Sequence, residues 1–317
     1  MMELLINKLE QQLPRQSWKE FAYFSANWEH ILGVPFGQGH IQGYKQLKEY
    51  TAKQACLDLR NGFRPKTQHP KFLGAIHGNP AMMISFHFGS YRTLPLRVLS
   101  QGRSVCVLLS QDVYDLYAEY YENLLESGTQ GNPGAKLFLL KVEDPALFFK
   151  IRKMKALGAH IFVYADGSRG AVCSEQEERL PEVSLLQANM HVRSGFLGMA
   201  HLLGMDSYLL LDHTPDPLED SKGKSDLFCY KVSGRSDRRE FVAAGLAEIY
   251  ARFGKALKKN PFMWEAFLYL HCHSRPESSV FNWKRSSRML PFYYRKSFWG
   301  LDRFTYRTYQ LSRDFKS

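Results

Sequence analysis

The chain has 317 residues, 44% of them hydrophobic and 23% charged, and its 42 Lys and Arg against 31 Asp and Glu give a net charge of +11. That is the balance of a chain that buries a core, and it excludes intrinsic disorder, a collagen-like repeat and a disulfide scaffold. No uninterrupted apolar stretch reaches ten residues, against the roughly 18 to 20 that a bilayer-spanning helix needs.

At this length either one large domain or two modest ones can form, burying about three-quarters of the surface of the unfolded chain. Leu4, Leu5, Leu9 and Leu13 recur among polar residues at the N-terminus. They predict a short amphipathic helix rather than a signal peptide. Five scattered cysteines (Cys56, Cys106, Cys173, Cys229, Cys272) form no CxxC pair, as expected for a reducing compartment. A soluble cytoplasmic protein is the expectation.

Residues 15–75 mix aromatic and polar side chains and predict helices packed on the core. From residue 80 short apolar runs alternate with amphipathic segments. Strands are predicted at 82–86, 104–109, 136–140, 160–165, 207–211 and 227–232. Helices are predicted at 91–100, 113–126, 145–156, 193–203 and 239–259. This alternation is the mark of βαβ units, an α/β fold with a mostly parallel central sheet flanked by helices. Three loops interrupt it, at 127–135, at 167–190, which is long and polar, and at 213–226, and each is either a lid or binding loop or a surface insertion. The expected organisation is a helical segment at 1–75, an α/β domain at 76–276 and a C-terminal extension at 277–317. No internal repeat is present.

The charge is uneven. Residues 275–317 hold ten Lys or Arg against three acids, +7 of the total, and eleven aromatic residues, leaving +4 for the first 274 residues. Such a tail suits an anionic partner (an acidic protein, an anionic membrane surface or nucleic acid), or else packs its rings on the domain and leaves its charges in water. Without a recognition module, nucleic acid is the least favoured partner.

Two strings could carry chemistry. In Ser85-Phe86-His87-Phe88-Gly89-Ser90-Tyr91-Arg92 an apolar strand runs directly into a histidine. Sites in open parallel sheets form at strand carboxyl ends. His87 there could take a proton near neutral pH. Gly89 would allow close backbone approach, and Ser90 would open a helix whose N–H groups attract an anionic group. The competing reading of His87 is a hydrogen-bonded structural histidine. In Tyr164-Ala165-Asp166-Gly167-Ser168-Arg169-Gly170 a second strand runs into an acid and an arginine. Asp166 could orient His87 if the two strand ends are neighbours, and Arg169 could hold a phosphate or carboxylate. Arg193, ahead of a predicted helix, is a capping or anion-binding candidate. His271-Cys272-His273 lacks metal-ligand spacing on a helix, and GxxxxGK[ST], GxGxxG and GxSxG are all absent from the chain.

In order and spacing, residues 75–276 resemble the lysophospholipid acyltransferase superfamily, and within it the lipid A biosynthesis (lauroyl/myristoyl) acyltransferase branch. The resemblance rests on His87-Phe88-Gly89-Ser90-Tyr91, the helix and Leu157-Gly158 turn before Asp166, the segment 195–204, Pro261-Phe262-Met263-Trp264 and Arg275-Pro276. It implies acyl transfer from an acyl-carrier-protein or coenzyme A thioester to a hydroxyl or amine, with no bound cofactor. His87 would be the general base, and N–H groups near Gly89 and Ser90 would hold the oxyanion. Arg169, with Arg92, would hold a phosphopantetheine phosphate or an acceptor carboxylate, and the 195–203 helix would form an apolar wall. The chain departs from the pattern at Arg92, which stands where the family has an acid. Three readings follow: Asp166 or another acid replaces it, the substrates need less help, or the protein binds a carrier without turning it over. The branch's N-terminal membrane helix is also missing from the pattern, so an acidic acyl or peptidyl carrier protein is the expected partner. Peripheral contact with the inner membrane through the tail is the alternative.

Overall fold

A computed structural model of the chain describes residues 2–60, 78–116, 118–119, 134–166, 180–214, 226–270 and 288–311. Six strands form the central sheet: β1 (Met82–Ser85), β2 (Val105–Leu109), β3 (Leu137–Lys141), β4 (His160–Tyr164), β7 (Ser207–Asp212) and β8 (Leu227–Lys231). Their order is β3-β2-β4-β1-β7-β8, parallel throughout except for β8, which runs antiparallel to β7 at the edge. The protein is therefore an α/β fold with a mostly parallel sheet, as its apolar runs predict.

Period-two alternation divides the sheet's side chains between two layers. Met82, Ile84, Phe86, Cys106, Leu108, Ile161, Leu209 and Leu211 face the larger core. That core is closed by α2 (Trp18–Leu32), α6 (Gly195–Leu202) and α7 (Arg238–Lys259). Met83, Val105, Val107, Leu109, Phe162, Tyr208 and Leu210 face a smaller layer with Leu94 and Val98 of α4 (Leu94–Leu99). With apolar packing on both faces, β1, β2 and β7 read as unbroken apolar runs. Phe86 stacks on Phe253 of α7 at 3.8 Å between centroids, and Asp237 caps the start of α7 by accepting from the Arg239 and Glu240 N–H groups. Further helices are α1 (Met2–Gln12), α3 (Gln38–Arg60) and α5 (Leu147–Ala156), and residues 111–116 are helical as well.

One expectation needs correction. Within the 167–190 stretch read as a polar loop, residues from 182 onward form a hairpin of β5 (Glu182–Leu185) and β6 (Ala188–His191). Leu185 is buried in the core, so the segment is structural. In the C-terminal extension, the described residues 288–311 form an antiparallel sheet of β9 (Met289–Tyr294), β10 (Ser297–Asp302) and β11 (Thr308–Gln310). It packs on α2: Trp18 meets Tyr293 at 5.6 Å, and Arg303 pairs with Glu29 at 2.9 Å. Phe292, Tyr306 and Tyr309 are buried there, whereas Tyr293, Tyr294 and Phe304 are exposed, so the described rings divide between packing on the domain and facing water.

His160 opens β4 and is buried, its Nδ1 accepting the Ala81 N–H at 3.1 Å. Burial first, and the Arg103 charge second, lower its pKa from 6.5 to about 4. Between these values the unfolded chain binds a proton that the native one does not, so stability falls as pH falls through this window and levels off below it. The loss is of order ~3 kcal/mol. Urea unfolding from pH 7 to pH 4 is expected to show it, and His160→Asn, which keeps an acceptor but cannot titrate, should reduce the slope. Burial also lowers His30, His40 and His213, so part of the slope remains.

Candidate functional site

The site stands at the carboxyl end of the sheet because β1 and β4 are parallel neighbours, paired Ser85 to Tyr164. Each chain leaves its strand at the same level, which brings His87 and Asp166 side by side. Asp166 Oδ1 accepts from His87 Nδ1 at 2.9 Å, and the His87 backbone N–H reaches Oδ1 at 3.0 Å and Oδ2 at 2.9 Å. The Trp264 indole N–H donates to Oδ2 at 2.5 Å. The Asp166 side chain is only 2% exposed, whereas that of His87 is 19% exposed. This network places the proton on Nδ1 and leaves the lone pair on Nε2.

Trp264 owes its place to the segment after α7. The turns Pro261–Met263 and Glu265–Leu268 carry the chain back over the strand ends. There Phe88 and Trp264 form an isolated β-bridge, and the Glu265 N–H donates to the His87 carbonyl at 2.9 Å. Asn27 of α2 secures the far end by donating to the Phe267 and Leu270 carbonyls, both at 3.0 Å. The sequence pattern contained Trp264 as one member of a proline–tryptophan string, but nothing in it shows an indole N–H on a carboxylate.

A cavity of about 390 Å³ opens beside His87, a volume within the range of small-molecule sites. Leu108, Val113, Val142, Leu147, Val163, Phe196 and Met199 make its apolar wall, the last two from α6. Its polar lining comes from Ser110, Tyr91, Arg92, Arg193, Glu265 and Tyr269. Arg92 is tied to Tyr91 and Glu265. Its Nε donates to the Tyr91 hydroxyl at 2.9 Å, and it pairs with Glu265 at 3.5 Å. Tyr91 donates to the same Glu265 oxygen at 2.8 Å. Burial and the Glu265 charge raise the Tyr91 hydroxyl well above its ordinary range, and burial followed by the Asp166 charge does the same for Tyr269. Both phenols are therefore neutral donors.

The remaining candidates separate. Arg193 lines the cavity and is exposed. Arg169 lies outside the described residues, as do His271, Cys272 and His273. Gly89 and Ser90 do not line the cavity. The expected oxyanion donor at Gly89 needs correction, because that N–H donates to the Met263 carbonyl at 3.1 Å. Gly89 has a φ of +65°, and a Cβ there would collide with the Asp212 carbonyl at the end of β7, so the glycine serves a close backbone approach. Burial pushes the Cys106 and Cys229 thiols up to about 12, so neither is a thiolate nucleophile near neutral pH. Among the described residues no group of three or more His, Cys, Asp or Glu could hold a metal ion.

No protein-family model matches the chain, and no curated protein matches it in sequence.

The Asp166 network predicts a tautomer. In Asp166→Asn the single amide oxygen is claimed by the Trp264 and His87 N–H donors, and the amide NH₂ then faces His87 Nδ1. The proton of the neutral ring should move to Nε2, the logic of the triad in which an Asp-to-Asn change leaves the geometry but inverts the tautomer. Imidazole ¹⁵N shifts at a pH where the ring is neutral should show Nδ1–H in the unsubstituted protein and Nε2–H in the variant.

Proposed function

We propose that the chain transfers an acyl group from a thioester of a carrier protein or coenzyme A to a hydroxyl or amine, with His87 as general base. The observation that carries this reading is an imidazole held by a buried carboxylate at the edge of a largely apolar cavity. Among the described residues His87 Nε2 has no hydrogen-bond partner.

In this reading Nε2 takes the proton as the acceptor's oxygen or nitrogen attacks the thioester carbonyl, forming the new C–O or C–N bond. Asp166 stabilises the imidazolium that results. Collapse of the tetrahedral intermediate breaks the C–S bond, and Nε2–H returns the proton to the leaving thiolate. Arg92 and Arg193 supply positive potential to the cavity for the oxyanion or a donor phosphate. A thioester is already activated, which lessens the demand on these groups. The apolar wall suits an acyl chain, and water in place of the acceptor would give hydrolysis.

Support from Asp166 answers the departure at Arg92: the carboxylate comes from the neighbouring strand instead of the same loop. Intact-mass analysis of an acyl-loaded carrier protein, and of acyl-coenzyme A, should show loss of the acyl group in the presence of the protein and a hydroxyl or amine acceptor. His87→Ala should slow this by about 10²- to 10⁴-fold, and Asp166→Asn by up to about 10⁴-fold. Full transfer by His87→Ala would remove the base from the mechanism.

A further inference from the structure

Acyl transfer needs a donor for the carbonyl oxygen as it becomes negative, and the Gly89 N–H is already engaged by the Met263 carbonyl. Among the described residues four tyrosines lie around the His87–Asp166 pair. Tyr91 and Tyr164 stand 4.7 and 4.8 Å from the His87 ring, and Tyr269 is perpendicular to it at 6.1 Å between ring centres. Tyr250 reaches the Ala165 carbonyl from α7. Three of the four hydroxyls are committed: Tyr91 donates to Glu265 at 2.8 Å, Tyr164 to the Tyr91 carbonyl at 3.0 Å, and Tyr250 to the Ala165 carbonyl at 3.5 Å. The Tyr269 hydroxyl is not. Among the described residues it has no hydrogen-bond partner, it is not sealed in the interior, and its side chain lines the cavity with His87.

The backbone that carries Tyr269 is held on both sides. Four residues earlier the Glu265 N–H donates to the His87 carbonyl at 2.9 Å, the Tyr269 N–H itself donates to the Ala266 carbonyl at 3.1 Å, and the Leu270 carbonyl accepts from Asn27 at 3.0 Å. A donor fixed before the substrate arrives costs no reorganisation as charge develops. Burial, followed by the charges of Asp166 and Glu265, holds the Tyr269 hydroxyl well above its ordinary range, so it keeps its proton near neutral pH. These two acids do not exclude an oxyanion. Arg92 pairs with Glu265 at 3.5 Å, and Asp166 faces the imidazolium that forms when His87 takes the acceptor's proton. Arg193 lines the cavity with no ion-pair or hydrogen-bond partner among the described residues. One negative charge on the carbonyl oxygen then leaves the site balanced.

We infer that the Tyr269 hydroxyl is the oxyanion donor of the His87 site. As the acceptor's oxygen or nitrogen bonds to the thioester carbon, the carbonyl π pair moves onto oxygen, and the Tyr269 O–H donates to that oxygen while keeping its proton. Collapse returns the pair to C=O and expels the thiolate, which takes the proton from Nε2. Tyr91 is unsuited to this task, because its hydroxyl donates to Glu265 and accepts from Arg92. Ser110 also lines the cavity, but it follows β2, which β4 separates from the strand that carries His87. The role in catalysis rests on the acyl-transfer reading; donation to an anionic oxygen in the cavity does not.

Tyr269→Phe removes one oxygen and keeps the ring. With an acyl-loaded carrier protein or acyl-coenzyme A, its kcat should fall by about 10²- to 10³-fold. KM for the thioester should stay unchanged, because the interaction strengthens only in the transition state. Tyr250→Phe, which removes a buried phenol oxygen outside the cavity, should leave kcat as it is. Octylphosphonate, a tetrahedral anion with an apolar tail, probes the donor without turnover. Calorimetric titration should show binding to the unsubstituted chain and to Tyr250→Phe, and binding weaker by at least about tenfold in Tyr269→Phe. Circular dichroism checks that each variant is folded. If octylphosphonate binding depends on Tyr269 and the unsubstituted chain transfers no acyl group, the donor stands and the acyl-transfer reading falls. If transfer proceeds and Tyr269→Phe keeps its kcat, the reading stands and the donor falls. The inference fails equally if octylphosphonate does not bind the unsubstituted chain, if Tyr269→Phe binds it as tightly, or if Ser110→Ala lowers kcat and Tyr269→Phe does not.

Discussion

The structure around the site depends on one buried carboxylate. Asp166 is 5% exposed, and among the described residues its hydrogen-bond partners are His87 and Trp264, with no Lys or Arg. N–H donors alone therefore solvate the charge: the backbone and ring of His87, and the Trp264 indole. A buried ion that loses a donor suffers a penalty of about 1–3 kcal/mol or more, so each donor's position constrains the element that carries it. The His87 N–H requires β1 beside β4. The indole requires the chain after α7 to return across the strand ends, where the Phe88–Trp264 bridge and the Asn27 contacts hold it. The geometry that keeps Asp166 in the interior is the geometry that orients His87.

This dependence explains how much of the site was legible. Strands β1, β2 and β7 are readable because burial on both faces makes them mostly apolar, β3 and β8 carry short apolar runs although only half-buried, and both chemical strings fall directly after apolar runs. The neighbourhood of His87 and Asp166 was only conditional, because 79 residues separate them and the sheet order lies in pairings that a run of apolar residues does not encode. Trp264 was invisible as a donor for the same reason. Spacing along the chain alone brings no acid to His87; Asp166 arrives through strand adjacency.

The hairpins show a different limit. The β9–β10 turn passes through Arg295 and Lys296, with φ of +48° and +62°, and the β5–β6 turn through Leu186 at +56°. Those conformations are ordinarily announced by Asn-Gly or Gly. Here they are held by residues that signal no turn, so cross-strand pairing and burial fix them at a local cost. The β9 segment also contains Pro291, which weakens a strand reading. Tertiary packing on α2 overrides these local preferences.

The net charge of +11 changes meaning once its neutralisation is located. The C-terminal excess is partly internal. Arg303 is paired with Glu29, Arg288 with Asp302 at 2.8 Å, and Arg295 lies over the Tyr294 ring at 5.2 Å. Cations held this way contribute to packing between the sheet and the rest of the fold, and their attraction for an outside anion is reduced by the partner already present. The count that makes the tail conspicuous therefore overstates the charge it leaves for an outside partner.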